Sequence, residues 1–130
     1  MSDAATRWVA PYWRARTPEG EESPYQAQVF VLNHGAIPAK VNGLFFDSQG
    51  SLLQSEELTA QPRQVVIFSS PLENLGWMRI VSDNPVTPWG ETPGFTPPGE
   101  KQKLNMSFYR DEPLIRRLIK DAQVTLARLH

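Results

Sequence analysis

Two histidines are the first place to look for nucleophilic catalysis. That chemistry needs a serine, threonine or lysine beside a base, and histidine is the usual base. His34 lies in an Asn–His–Gly turn, and His130 is the last residue of the chain. The motifs GxSxG, GxGxxG, GxxxxGK[ST] and HExxH do not occur. We therefore expect His34 to be an exposed turn residue, and we predict no hydrolase, nucleotide or zinc site.

Adjacent carboxylates are the second candidate, because acid–base catalysis uses two carboxyl groups that face each other across a cleft. Such pairs occur at Glu21–Glu22, Glu56–Glu57 and Asp111–Glu112. Neighbouring residues of a strand point to opposite faces, so we expect solvated charges at Glu56 and Glu57 and a helix cap at Asp111. Asp83–Asn84 offers oxygen ligands but lacks the spacing of a calcium loop. The sequence thus predicts no enzyme, no metal site and no cofactor.

Aromatic side chains are better candidates for function. Trp13, Trp89 and Phe95 fall in segments predicted to be loops. Flat rings stack on sugars and fill pockets of partner proteins, so we predict a binding surface at these three residues. The alternative is that they anchor their loops on a sheet. Trp8 and Trp77 lie at the centres of strand-like runs, and we expect both in the core.

Short apolar runs separated by turn residues indicate the elements that carry these side chains. Alternation and β-branched or aromatic content predict seven strands. They cover residues 6–12, 25–32, the two arms of a hairpin over 41–58 that turns at Asp47-Ser48-Gln49-Gly50, 63–69, 76–82 and 103–109.

A proline-rich segment interrupts this pattern at residues 84–100. It holds five of the 12 prolines and three of the eight glycines. Proline cannot donate a ladder hydrogen bond, so the segment is predicted to be a long stiff loop rather than a helix or a central strand.

The last residues predict an amphipathic helix that starts after the Asp111 cap. Residues 101–130 carry seven Lys or Arg against three Asp or Glu, whereas residues 1–100 carry six against 11. An isolated short helix is marginal in water, so its apolar stripe should pack on its own sheet or on a second subunit. We expect a homo-oligomer in which this stripe meets a partner through Ile115, Leu118, Ile119, Ala122, Leu126 and Leu129.

These elements predict an all-β protein, an immunoglobulin-like antiparallel β-sandwich of about seven strands with a C-terminal α-helix. A small barrel is the alternative. The domain covers residues 1–110, including the 84–100 loop, and the helix covers 111–130. The chain has no cysteine, no long apolar run and no basic-then-apolar start, so we expect a cytoplasmic protein without a transmembrane segment.

The order of features resembles the sensory rhodopsin transducer family over roughly residues 7–87. The resemblance rests on Arg7-Trp8-Val9-Ala10, on Val29-Phe30-Val31-Leu32-Asn33, and on Ala39-Lys40-Val41 followed by Phe45-Phe46-Asp47. Pro62-Arg63 before VVIF, and Gly76 to Val86 with Ser82-Asp83-Asn84-Pro85-Val86, complete it. It implies a small β-sandwich that is homo-oligomeric and non-enzymatic and that meets a membrane receptor from the cytoplasmic side. It also implies carbohydrate or nucleic-acid binding as roles of relatives.

The leading functional hypothesis is a non-enzymatic, oligomeric binding module, with a signalling or carbohydrate-binding role. The alternative is a structural subunit of a larger assembly such as a virion or an appendage. The net charge of −1 makes nucleic acid an unlikely partner. A saccharide or a partner protein remains the expected ligand.

Overall fold

A computed structural model describes residues 5–15, 25–72, 75–93 and 103–111, whose regular secondary structure is all β. Each of the seven predicted runs overlaps a strand, and the last run overlaps two. The eight strands are Ala5–Arg14 (β1), Gln28–Leu32 (β2), Ala39–Asp47 (β3), Leu52–Ala60 (β4), Val65–Ser69 (β5), Leu75–Pro93 (β6), Lys103–Met106 (β7) and Tyr109–Arg110 (β8).

Strand β6 organises the fold, because its 19 residues take part in both halves of one antiparallel sheet. Its beginning pairs with β3 up to Ser82 and with β1 up to Val81 and again at Val86, which gives the strand order β4-β3-β6-β1-β8 in the first half. From Thr87 onward it pairs with β2, which carries β5 on its other side, and then with β7. This second half therefore has the order β5-β2-β6-β7.

The inner sides of the two halves share one hydrophobic core. Alternation along the strands supplies it, since every second residue points inward. Its largest fully buried side chains are those of Trp13, Phe45, Phe68, Met78 and Ile80. Full burial of a side chain of this kind contributes about 2 kcal/mol relative to leaving it in water.

The β3–β4 hairpin turns where the sequence predicts it. The Asp47 carboxylate accepts hydrogen bonds from the backbone N–H groups of Gln49 and Ser51, both at 2.9 Å. Gly50 has a φ of 89°, a left-handed conformation that glycine adopts without a steric penalty. Side-chain capping and one glycine therefore fix the turn.

The predicted fold class is correct as all-β but wrong in its finer form. The strands make one open antiparallel sheet that is continuous through β6, not an immunoglobulin-like sandwich of two separate sheets. No helix occurs within residues 5–15, 25–72, 75–93 and 103–111, so the helical part of the predicted fold class is not supported. The residues assigned to it, 112–130, lie outside the described residues. Nor does the described part of the chain contain a helix with the length and hydropathy of a bilayer span.

The predicted loop at 84–100 is wrong over its first ten residues, because β6 continues to Pro93. Prolines are tolerated there because each has at most one paired neighbour among the described strands. Pro88 pairs with β2 and Pro93 with β7, while Pro85 falls in the gap between the β3 and β2 ladders. A missing N–H costs little where no second strand needs it.

Candidate binding surface

The outward side of the second half carries an exposed patch of apolar and aromatic side chains, called the aromatic face below. Val29 and Val31 point into the core, so Phe30 and Leu32 between them point outward. Cross-strand partners stand on the same side of a sheet, and these two residues pair with outward residues on both neighbours. The aromatic face consists of Phe30, Leu32, Val65, Ile67, Thr87 and Trp89.

Phe30 and Trp89 form the centre of this face. Their rings are stacked, with centroids 5.6 Å apart and planes 14° apart. Trp89 remains 44% exposed, and Ile67 on the other side of Phe30 is 50% exposed. The ladder holds each Cα in place, so the indole presents a flat ring to solvent on a rigid support.

A polar pocket adjoins one end of the aromatic face, where Gln28 pairs with Glu91. The pocket has a volume of about 170 Å³ and is lined by Tyr25, Gln26, Gln28, Glu91, Thr92 and Lys103. A carboxylate oxygen of Glu91 lies 3.2 Å from Nζ of Lys103. The pocket, called the Glu91 pocket below, thus combines an acceptor, an ammonium donor and side-chain amides beside a flat ring.

A second pocket adjoins the opposite end of the aromatic face, beyond Thr87. It is an open depression of about 430 Å³ lined by His34, Gly35, Ala36, Pro62 and Arg63, and it is called the Arg63 pocket below. Nε2 of His34 lies 3.1 Å from Oγ1 of Thr87, which joins the depression to the aromatic face.

Of the three aromatic residues predicted to form a binding surface, Trp89 lies on the exposed aromatic face, in a strand rather than in a loop. The loop position predicted for Trp13 is wrong. Trp13 lies in β1, is 0% exposed, donates from Nε1 to the backbone oxygen of Trp77 at 2.9 Å, and packs edge-on against Phe45. Its ring has no face left for a ligand.

The other predicted site residues lie outside the described residues. They are Phe95 and the helix positions Ile115, Leu118, Ile119, Ala122, Leu126 and Leu129. Asp111, predicted as a helix cap, is described. It is buried, and its carboxylate lies 3.4 Å from Nε of Arg79.

Sequence reasoning missed most of this surface. The sequence pattern indicates only strands at Phe30 and Ile67, and it indicates no binding role for Arg63. A signal was present in the alternation around Phe30, because β2 and β5 both carry apolar residues on two sides. A strand with apolar residues on both sides has either two covered faces or one exposed apolar face.

Comparison with solved structures places this fold among known ones. The chain is similar to Thermotoga maritima 1070, with a TM-score of 0.70 and 14% identity over 85% of this chain and 98% of that one. It is also similar to the Anabaena sensory rhodopsin transducer, with a TM-score of 0.55 and 18% identity over 69% of this chain and 98% of that one. At these identities the likeness is one of fold, and the predicted resemblance holds as a distant structural relationship. No family model and no curated sequence matches the chain.

Proposed function

We propose that this protein is a non-enzymatic binding module that holds a saccharide on the aromatic face. The exposed stack of Phe30 and Trp89 beside the Glu91 pocket carries the proposal. A sugar ring has an apolar face that stacks on an indole, and hydroxyls at its edge that need donors and acceptors. An aromatic surface flanked by a few convergent polar groups meets both needs.

The arrangement of acidic residues supports a non-catalytic role. Glu56 and Glu57 are consecutive and exposed on β4, which pairs with β3 alone among the eight described strands, so their side chains point to opposite faces. Glu91 is engaged with Lys103. The described residues therefore bring no pair of carboxylates together across a cleft.

Binding to immobilised oligosaccharides of several backbones tests the proposal with four proteins. These are the natural protein, Trp89→Ala, Trp89→Phe, and Tyr109→Ala as a matched control. Tyr109 is 57% exposed but lies on β8, in the other half of the sheet. We expect Trp89→Ala to weaken binding about 30-fold or more, because it removes the central ring of the contact. Trp89→Phe should retain part of the affinity, and Tyr109→Ala should retain all of it. Failure of the natural protein to bind any saccharide, or equal binding by Trp89→Ala, contradicts the proposal.

A second outward surface supports self-association as a further property. In the first half, Phe46 and Trp77 stack with centroids 4.1 Å apart, and Leu52, which pairs with Phe46, is 53% exposed. Aromatic patches of this kind are typical of protein contacts, and a two-fold axis lets one patch meet its own copy. We propose a homo-oligomer that uses this face. Light scattering on the full chain should give a multiple of 14.7 kDa, and Leu52→Glu should lower this mass. A monomeric natural protein contradicts it.

A further inference from the structure

Arg63 occupies a backbone conformation that its side chain does not favour. Its φ is 65°, and it is the only residue other than glycine with a positive φ within the described ranges. A Cβ is strained in this left-handed region, where glycine is relaxed. Such strain persists only where surrounding structure enforces it, and it clusters at functional sites.

The enforcing structure is a network centred on Asn33, which is fully buried. Its backbone oxygen accepts from the N–H of Arg63, and its own N–H donates to the oxygen of Gln64 at 3.0 Å. Its side-chain amide donates to the oxygens of Ile37 and Ala60 and accepts from the N–H of Gly35. One residue thus fixes both loops that line the Arg63 pocket, so the pocket is formed before a ligand arrives.

The charge of this pocket is positive. Arg63 makes no ion pair with another residue of the described ranges, and His34 is held beside it through Thr87. Asp83, four residues before Thr87 in β6, accepts from the N–H of Lys40 and from the amide of Asn84. A planar guanidinium with five donors matches a carboxylate, which it can bind through two parallel hydrogen bonds.

We propose that the Arg63 pocket binds a carboxylate of an acidic oligosaccharide whose sugar ring stacks on Trp89. This inference rests on the proposed function and adds the charge of the ligand. Phe30 in β2 and His34, two residues beyond the end of that strand, are four residues apart, which at the rise of an extended chain spans up to about 13 Å. That separation exceeds one sugar ring, so the ligand is an oligosaccharide that reaches from the aromatic face to Arg63.

Isothermal titration with two matched probes tests the inference: an oligogalacturonate and the same oligosaccharide with its carboxylates methyl-esterified. A hyaluronan hexasaccharide supplies a second acidic backbone. The variants are Arg63→Gly, Trp89→Ala, and Lys40→Ala as a control that removes an exposed cation from the other half. Arg63→Gly is chosen because glycine relieves the strain at this φ, so the variant should unfold at the same temperature as the natural protein or higher.

The expected result is tighter binding of an acidic probe than of its ester by the natural protein. Arg63→Gly should remove this preference by weakening acid binding about 10- to 100-fold while leaving ester binding unchanged. Lys40→Ala should change neither, and Trp89→Ala should weaken both. If Trp89→Ala weakens binding but Arg63→Gly leaves the preference intact, this inference fails and the proposed function stands. If neither variant matters, both fail.

Titration with inorganic phosphate completes the experiment, because a free anion can bind the Arg63 guanidinium without a sugar ring. Weak phosphate binding that depends on Arg63, alongside tighter oligosaccharide binding that depends on both residues, supports the inference. Phosphate binding that depends on Arg63 without any saccharide binding assigns the pocket to a free anion and overturns it.

Discussion

The ring of Phe68 in β5 lies against the backbone of Gly43 in β3. A Cβ on residue 43 would come within 2.7 Å of Cδ1 of Phe68, closer than carbon atoms approach each other. Phe68 belongs to the second half of the sheet and Gly43 to the first. Through this contact the two halves of the sheet pack against each other across the core. The contact requires a residue without a side chain at position 43.

Gly43→Ala should therefore destabilise the protein, by about 1 to 3 kcal/mol, because the fully buried Phe68 ring must move to make room. Chemical denaturation monitored by circular dichroism measures the change. The double variant Gly43→Ala with Phe68→Leu should lose less stability than the sum of the losses of the two single variants, because the smaller leucine leaves room for the added methyl group. Simple additivity would mean that the strain at residue 43 has another source.

Trp13 and Trp89 should differ sharply in their effect on stability. Trp13 is completely buried and donates a hydrogen bond, so Trp13→Ala should cost about 3 to 5 kcal/mol. Trp89→Ala removes a ring that is 44% exposed and should cost about 1 kcal/mol or less. If Trp13→Ala does not fold, Trp13→Phe still serves, with an expected loss of about 1 to 2 kcal/mol. Similar losses at the two positions would place Trp89 in the core as well.

The strands and the hairpin were predictable because their causes are local. Alternation of side chains specifies a strand with a single buried face, and Asp47 with Gly50 specifies a tight turn. The length of β6 was not predictable, because the cost of proline depends on how many neighbours a strand has at that residue. The number of neighbouring strands at a proline is a property of the whole sheet and cannot be read from the residues of the segment.

The burial of Trp13 depends on a register shift. The pairing of β1 with β6 shifts between Ala10 and Trp13, so alternation slips by one residue and Trp13 turns inward beside an exposed Tyr12. The prediction for Trp77 is wrong in the opposite direction, because it was expected in the core and lies outside it. Its strand has apolar residues on both sides, and Met78 and Ile80 fill the core while Trp77 stays half-buried outside. The expectation for Trp8, which is 6% exposed, is confirmed.

The candidate site was predictable only at Trp89. Its indole lies beside Phe30 because β2 and β6 pair at that register, although 59 positions separate the two in the sequence. Arg63 and His34 lie on two different loops that line the same pocket. A single sequence contains no signal for such long-range pairings, which arise when the two halves of the sheet assemble.

Asn33 should be among the most sensitive polar residues of the chain. Asn33→Ala leaves the oxygens of Ile37 and Ala60 and the N–H of Gly35 without their partner. Each unpaired buried group costs about 1 to 3 kcal/mol, and water entering the cavity recovers part, so we expect a loss of about 3 kcal/mol. Thermal unfolding measures it. Asn42→Ala, at a half-buried outward position of β3, is the control and should cost less than about 1 kcal/mol. An equal cost at both positions would show that the amide network adds no stability.

Two ion pairs, Asp111 with Arg79 and Glu91 with Lys103, should differ in their contribution to stability and in their response to salt. Asp111 is 9% exposed and lies 3.4 Å from Arg79, whose side chain is 42% exposed, whereas Glu91 and Lys103 are both at least 40% exposed. Asp111→Ala removes a buried carboxylate and should lower the free energy of unfolding by about 1 to 2 kcal/mol, a value reduced by the solvent around Arg79. Glu91→Ala should lower it by less than about 0.5 kcal/mol.

Urea denaturation at low salt and in 1 M NaCl separates the two pairs. Added salt screens exposed charges over distances of about 3 Å, so the small effect of Glu91→Ala should vanish, while most of the effect of Asp111→Ala should remain. Loss of the Asp111 effect in salt would mean that this carboxylate acts as a surface charge. Persistence of its effect would show that the Asp111 carboxylate acts as a buried group after the end of β8, where the backbone N–H of residue 111, which the substitution retains, donates to the backbone oxygen of Arg7.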